Sequence, residues 1–145
     1  KSTSNTSLTM SIGKLADVTF TSGNDISTST LSPVYNYTDG EVTTFSINNK
    51  DTSGTAISYN VKLNITSIAT ELKSTNLKYV LLKNNTIVQE GDFSTIGTGS
   101  TTIYSSSISS SGTTDFKFYL YIDANIENNL SMMNKTLSGT LIVEA

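Results

Sequence analysis

The clearest pattern in this chain is a strict alternation of apolar and polar residues over residues 57–65. Successive side chains of an extended strand point to opposite faces, so this alternation places every apolar side chain of the stretch on one face. The apolar positions are Ile57, Tyr59, Val61, Leu63 and Ile65. The pattern predicts a strand that buries one face in a hydrophobic core and leaves the other in water.

The same alternation recurs at both ends of the chain. Near the C terminus it predicts two strands with inward residues Phe116, Phe118, Leu120 and Ile122 in one and Leu137, Leu141 and Val143 in the other. Near the N terminus, Leu8, Met10 and Ile12 alternate with polar residues. Helical periodicity is almost absent, and about eight or nine such segments occur between turn signals. We therefore expect an all-β fold, a two-sheet antiparallel sandwich resembling a jelly roll.

Turn residues divide these strands. Asn84 and Asn85 stand between two predicted strands, and both tolerate positive φ, so they predict a tight hairpin. The polar stretch at residues 49–54 predicts a second hairpin, joining strands at residues 41–48 and 57–67. We expect one helical turn in residues 68–76 and another in residues 124–134. Residues 101–104 predict a short strand, and the serine-rich residues 105–112 predict a loop.

Length and composition fit one domain with a polar but weakly charged surface. The chain has 145 residues, of which 14% are charged, against about 25% in an ordinary globular protein. Ser, Thr and Asn supply 23, 24 and 14 residues. Because a chain of this length can bury a single core, we expect a β-sandwich domain over residues 14–145. Residues 1–13 are expected to form an N-terminal arm.

The residue types present exclude many kinds of chemistry. The chain has no histidine and no cysteine, which excludes catalytic triads built on these residues, HExxH zinc sites and thiolate metal sites. A glycosidase with two carboxylates stays open in principle. The acids, however, stand mostly beside turn residues, as Asp39, Asp51 and Asp92 do. We therefore expect no enzymatic activity and no cofactor.

The charge of the chain argues against two classes of partner. The formal net charge is −3, and all nine basic residues are lysines. Nucleic acids and anionic membrane surfaces are poor partners for such a chain. Nor does any apolar run approach the roughly 20 residues of a membrane span.

One loop carries a weak signal for calcium. Asp123, Asn125 and Glu127 place oxygen atoms at alternate positions, as at the start of a calcium-binding loop. An EF-hand is excluded because Asn128 stands where the loop needs glycine and Asn134 where it needs glutamate. A looser calcium site and an ordinary polar loop both stay open.

Seven tyrosines raise the question of glycan binding, since aromatic faces pack against sugar rings. Tyr59 and Tyr79 fall on apolar strand faces, which predicts positions in the core. We expect exposed side chains at Tyr35, Tyr37, Tyr119 and Tyr121. An alternative function is therefore a monomeric adhesin module of a cell surface or virion that binds glycans.

Two C-terminal stretches, residues 111–125 and 131–145, resemble the C-terminal half of small exported β-proteins of Gram-positive bacteria. Residues 42–50, leading to Tyr59-Asn-Val-Lys-Leu63, extend this similarity. The group in question is the TasA/camelysin family of biofilm-matrix subunits, and the resemblance spans roughly residues 8–145. The shared motifs are structural rather than catalytic.

The resemblance implies a secreted, extracellular or cell-surface subunit that loses a signal peptide and polymerises with copies of itself into a pilus-like fibre. In such a fibre the N-terminal strand of one subunit completes the sheet of the next. Here the donor residues would be Leu8, Met10 and Ile12. The receiving core would consist of the inward residues already named in the strands near residues 57–65, 116–122 and 137–143. Pairing of the N-terminal strand within its own subunit is the alternative.

Overall fold

The computed structural model describes residues 7–12, 18–22, 26–27, 31–126 and 130–144. These residues form eleven strands, of which nine have five residues or more. Their bounds are β1 Ser7–Ile12, β2 Val18–Ser22, β3 Ile26–Ser27, β4 Pro33–Val34, β5 Glu41–Asn49, β6 Ile57–Ile68, β7 Leu77–Lys83, β8 Thr86–Asp92, β9 Gly99–Ile108, β10 Thr113–Asp123 and β11 Leu137–Glu144.

The strands build two sheets, which confirms the predicted all-β sandwich. Sheet A has the order β3-β1-β11-β6-β9, and sheet B has the order β2-β5-β10-β7-β8, with β4 paired to the end of β10. Most neighbours are antiparallel. Two pairs of described strands are parallel, β1 with β11 and β4 with β10.

Aromatic rings fill much of the space between the sheets. The Phe45 and Phe116 rings stack with their centroids 4.8 Å apart, and the Phe118 ring stacks on Tyr79 at 5.7 Å. Tyr79 also meets Phe93 edge to face, at 6.0 Å. Both Tyr59 and Tyr79 are buried, as predicted. Because aromatic side chains bury a large area each, this cluster contributes much of the hydrophobic free energy of folding.

The alternation in the long strands corresponds directly to burial. In β10, Phe116, Phe118, Leu120 and Ile122 are at most 1% exposed. The intervening Lys117, Tyr119 and Tyr121 are half-buried on the outer face of sheet B. The periodicity of the sequence therefore identified the core face of this strand correctly.

The hairpin at Asn84 and Asn85 is confirmed. It joins β7 to β8, and the two residues have φ values of 50° and 66°. Asn84 also fixes the turn to β10, since its backbone N–H donates to the Asp115 carbonyl at 2.7 Å and its Oδ1 accepts from the Asp115 N–H at 3.0 Å.

The hairpin predicted at residues 49–54 is wrong, because β5 lies in sheet B and β6 in sheet A. The chain crosses between the sheets here. Asn49 is fully buried at the crossing, and its Nδ2 donates to the carbonyls of Thr55 and Ile108 at 3.1 and 3.2 Å. In the loop after Asn49, the carboxylate of Asp51 accepts hydrogen bonds from the backbone N–H groups of Ser53 and Thr55. It also accepts one from the Ser53 hydroxyl. Hydrogen bonds from Thr55 first, and from Ser53, lower the pKa of this carboxyl.

Strand β9 is longer than predicted, because residues 105–108 continue it instead of forming a loop. Their backbone pairs with residues 57–60 of β6, and the Ser105 hydroxyl lies 2.6 Å from Asn60 Oδ1. A run of serines shows no alternation of apolar and polar residues, so the local sequence does not predict a strand here. Backbone pairing with β6 makes these residues part of β9.

The predicted helical turns are present as 3₁₀ turns at Thr70–Leu72 and Leu130–Met132, with a third at Tyr37–Asp39. Across the described ranges, no helix has both the length and the apolar character that crossing a membrane requires.

Candidate functional site

The most unusual position in the fold belongs to the first strand. β1 lies in sheet A between β11, with which it pairs in parallel, and the two-residue strand β3, with which it pairs antiparallel. We call the space between β11 and β3 the β1 slot. Within the described residues, β1 is the earliest strand of the sequence and β11 the last.

The register places the predicted donor residues beside the core-facing residues of β11. Leu8 is opposite Gly139, Met10 opposite Leu141 and Ile12 opposite Val143. Neighbouring residues in register share a face of the sheet. The apolar positions of β1 are therefore the ones in register with Gly139, Leu141 and Val143.

Strand β11 needs a neighbour on this side because it is a buried strand. Leu137, Leu141 and Val143 have no exposed surface, and Ser138 is buried too. On its other edge β11 pairs with β6 from Leu137 to Glu144. Without β1, a long apolar strand would present a row of unpaired N–H and C=O groups, which is a template for pairing with another chain.

At Gly139 the backbone of β11 lies close to that of β6. A Cβ atom here would lie 2.6 Å from the Asn64 carbonyl oxygen and 3.1 Å from the Ile65 Cα. The register between β11 and β6 shifts at this position, which marks a bulge. The Thr66 hydroxyl closes the irregularity by donating to the Ser138 carbonyl at 3.1 Å.

The residues predicted to form the receiving core all lie in the sandwich. Ile57 is half-buried, and the others are at most 2% exposed: Tyr59, Val61, Leu63, Ile65, Phe116, Phe118, Leu120, Ile122, Leu137, Leu141 and Val143. Those of β6 and β11 belong to sheet A, and those of β10 face them from sheet B. Their burial describes the core, while their role in receiving a donor strand stays a prediction.

The structure shows β1 paired with β11 of its own chain. This is the alternative that the sequence left open, and the transfer of β1 to a second copy stays a prediction. The sequence did not reveal the parallel direction of the pair or that β3 lies beside β1. Gly139 was a local signal for the bulge between β11 and β6, since a glycine inside a strand often marks a bulge or a close approach of backbones.

The side chain of Tyr59, a residue of β6 in sheet A, has an unusual environment in the core. Its hydroxyl is buried and makes no hydrogen bond to any described residue. Burial raises the pKa of Tyr59 to about 12. The hydroxyl therefore stays protonated at physiological pH.

The residues proposed for calcium are partly engaged with protein groups. Asp123 is buried, its Oδ2 pairs with Lys78 Nζ at 2.7 Å, and its Oδ1 accepts from the backbone and side-chain N–H groups of Asn125 at 2.8 and 3.0 Å. Burial alone would raise the pKa of Asp123, but the hydrogen bonds from Lys78 and Asn125 lower it overall. Glu127 lies outside the described residues, and calcium binding stays a prediction.

The tyrosines predicted to be exposed lie at sheet B. Tyr35 is 78% exposed, while Tyr37, Tyr119 and Tyr121 are half-buried. Tyr37 meets Tyr119 edge to face with ring centroids 5.1 Å apart. These rings therefore form part of the outer face, on the side opposite the core.

Fold and slot together define the class of this protein as an all-β two-sheet sandwich whose N-terminal strand completes a sheet beside the C-terminal strand. Comparisons of the chain with models of known families, with curated proteins and with solved structures give no match. The resemblance to TasA/camelysin proteins stays a resemblance.

Proposed function

We propose that this protein is a secreted structural subunit of an extracellular filament or biofilm-matrix fibre, and that it polymerises by inserting β1 of one copy into the β1 slot of the next. One observation carries the proposal: the first strand fills an interior position between β3 and β11. A short terminal strand in such a position can be replaced by the identical strand of another copy, because every contact is then reproduced.

The geometry of such an exchange favours an open chain of subunits. The donated element and the β1 slot are different surfaces, so each contact is heterologous, and contacts of this kind form filaments when the rotation between copies does not close a ring. Main-chain hydrogen bonds to β11 supply affinity, while the pairing of Leu8 with Gly139 and of Met10 with Leu141 sets the register. The resemblance to biofilm-matrix subunits supports the same function and an extracellular location.

A disulfide that holds β1 in its own slot tests this proposal. The chain has no cysteine, so a Thr9→Cys, Thr140→Cys pair introduces a single possible bond. The two residues are register partners on neighbouring strands, which lie about 4.8 Å apart, within the Cα separation that a disulfide bridges. We expect oxidised protein to stay monomeric and the reduced protein to form filaments in negative-stain electron microscopy.

A matched control places the bond inside the domain. Ser58 and Ser107 are register partners on β6 and β9, so a Ser58→Cys, Ser107→Cys pair should form filaments in both redox states. Deleting residues 1–13 removes the donor strand and should abolish the filaments. Filaments from oxidised Thr9→Cys, Thr140→Cys protein would refute strand exchange, and wild-type protein that forms no filaments would refute the filament itself.

A further inference from the structure

A groove on the outer face of sheet B lies away from the β1 slot, which belongs to sheet A. It crosses the neighbouring strands β10, β7 and β8 and has a volume of about 320 Å³. This volume is at the lower end of the range for small-molecule sites. We call it the Tyr121 groove, and its lining residues are Lys78, Tyr79, Glu90, Gly91, Asp92 and Tyr121.

The aromatic ring of Tyr121 forms one side of the groove. It is half-buried, and its register partner on β7 is Lys78. The loop before β5 packs against its base, since a Cβ atom added to Gly40 would lie 2.7 Å from the Tyr121 Cβ. Because the side chain is already half-buried, ordering its ring against a ligand costs less entropy than ordering a fully exposed side chain.

Two carboxylates stand on the opposite side of the groove, on β8. Glu90 is exposed. Asp92 accepts hydrogen bonds from the Ser94 backbone N–H at 2.8 Å and from the Ser94 hydroxyl at 2.5 Å. Both bonds end on Oδ1, which leaves Oδ2 available to a ligand. Ser94 thus orients the carboxylate and, by its hydrogen bonds, lowers the pKa of Asp92.

The charge of the groove is not balanced by its own lysine. Lys78 reaches the groove, but its ammonium group pairs with Asp123 at 2.7 Å. The same ammonium group also acts on Asp92 and contributes to lowering the pKa of that carboxyl. Counted together, one lysine (Lys78) and three acids (Asp123, Glu90 and Asp92) carry a net charge of about −2, so the groove stays negative beside the ring of Tyr121. Such a site attracts a cation and repels an anion, and ammonium groups are also favoured near aromatic faces.

We infer that the Tyr121 groove binds a polysaccharide of amino sugars with free amino groups. A sugar ring has an apolar face that packs on Tyr121 and hydroxyl groups that donate to carboxylate oxygens. Its ammonium group matches the charge of Glu90 and Asp92. A negatively charged polysaccharide would be repelled by the same pair.

Matched oligosaccharides with one backbone test this inference. Chitosan hexaose carries free amines, and chitin hexaose carries the same sugars with the amines acetylated. We expect isothermal titration calorimetry at low salt to show binding of chitosan hexaose at least tenfold tighter than that of chitin hexaose. Trilysine serves as a cation without sugar rings and should bind at least tenfold more weakly than chitosan hexaose.

Single substitutions test whether chitosan hexaose binds in the Tyr121 groove. Tyr121→Ala keeps the Cβ atom against which Gly40 packs, and it should weaken chitosan hexaose binding at least tenfold. Glu90→Gln should weaken it several-fold, whereas Tyr35→Ala, at an exposed tyrosine outside the groove, should leave it unchanged. Equal binding of the two hexaoses, equal binding of trilysine, an unchanged affinity in Tyr121→Ala or no binding at all would each overturn the inference. The filament proposal is unaffected by any of these results.

Discussion

The body of the sandwich, residues 41–144, and the N-terminal segment, residues 7–34, are built differently. The body contributes strands of seven to twelve residues, and most core-facing residues of β5, β6, β7, β10 and β11 are almost fully buried. The strands of the N-terminal segment have two to six residues and alternate between the sheets, with β1 and β3 in sheet A and β2 and β4 in sheet B. β2 and β3 are edge strands, β1 lies next to the edge strand β3, and β4 pairs with the end of β10.

We expect the free energy of unfolding to depend mainly on the body, and strand exchange to depend on the N-terminal segment. The body buries the aromatic cluster, which contributes much of the hydrophobic free energy of folding. In the N-terminal segment, β1 pairs with β11 and β2 pairs with β5, two strands that would otherwise be edges. We expect changes in the body to alter folding, and changes at the contacts with the N-terminal segment to alter assembly.

The largest effect should come from the body. Phe118 is fully buried and stacks on Tyr79, so Phe118→Ala should lower the free energy of unfolding by about 3–5 kcal/mol. Urea unfolding followed by circular dichroism measures this. The neighbouring Tyr119 lies on the outer face, and Tyr119→Ala should cost about 1 kcal/mol, mostly its edge-to-face contact with Tyr37. Equal costs for the two variants would contradict the division between inner and outer faces.

An intermediate effect is expected at β11, where the two regions meet. Gly139→Ala places a Cβ atom 2.6 Å from the Asn64 carbonyl oxygen, and backbone cannot move aside easily. We expect a loss of about 1–3 kcal/mol in the same unfolding experiment. Gly97→Ala is the control, because the one atom near its Cβ is Lys73 Nζ at 3.8 Å. A neutral Gly139→Ala would show that the bulge can open without cost.

The smallest effect concerns the ion pair at the end of β10, where Asp123 is also the register partner of Val34 in β4. Asp123→Asn should cost about 1–2 kcal/mol at pH 7, since it removes a charge-assisted hydrogen bond from Lys78. The lowered pKa of Asp123 means that its contribution is present above the pKa of the unfolded chain and is lost as the pH falls through the lower folded value.

Lys78 behaves in the opposite sense. The hydrogen bond to Asp123 raises its pKa, so its contribution is present below its unfolded pKa and is lost as the pH rises through the higher folded value. The difference in stability between wild type and Asp123→Asn should therefore be full near neutral pH and shrink below about pH 4. Glu71→Gln breaks the exposed pair with Lys135 and should change stability by less than about 0.5 kcal/mol. A wild-type advantage over Asp123→Asn that persists undiminished at pH 2 would contradict this account.

The body was predictable from the sequence because burial there follows a local pattern. In β10 the period of two identified the inward residues Phe116 to Ile122, and Asn84 and Asn85 identified a turn that needs positive φ. Pairing partners are set by contacts distant in sequence. Residues 49–54 look like a hairpin loop, yet Asn49 directs the chain across to the other sheet.

The β1 slot was only partly predictable for the same reason. The alternation of Leu8, Met10 and Ile12 indicated a strand, but no local signal states that it pairs with β11, or in which direction. The Tyr121 groove combines residues of β7, β8 and β10. Tyr121 was expected to be exposed, but Glu90 and Asp92 gave no indication of their position beside it.

The pairing of the earliest strand with the latest one has a kinetic consequence. Leu8 and Gly139 are 131 positions apart, so β1 cannot pair with β11 until the residues between them have been synthesised. Closing so long a loop is also slow on entropic grounds. During this delay β1 is the strand whose partner forms last, so under the proposed strand exchange a newly made copy would pair most easily with a second copy in this interval.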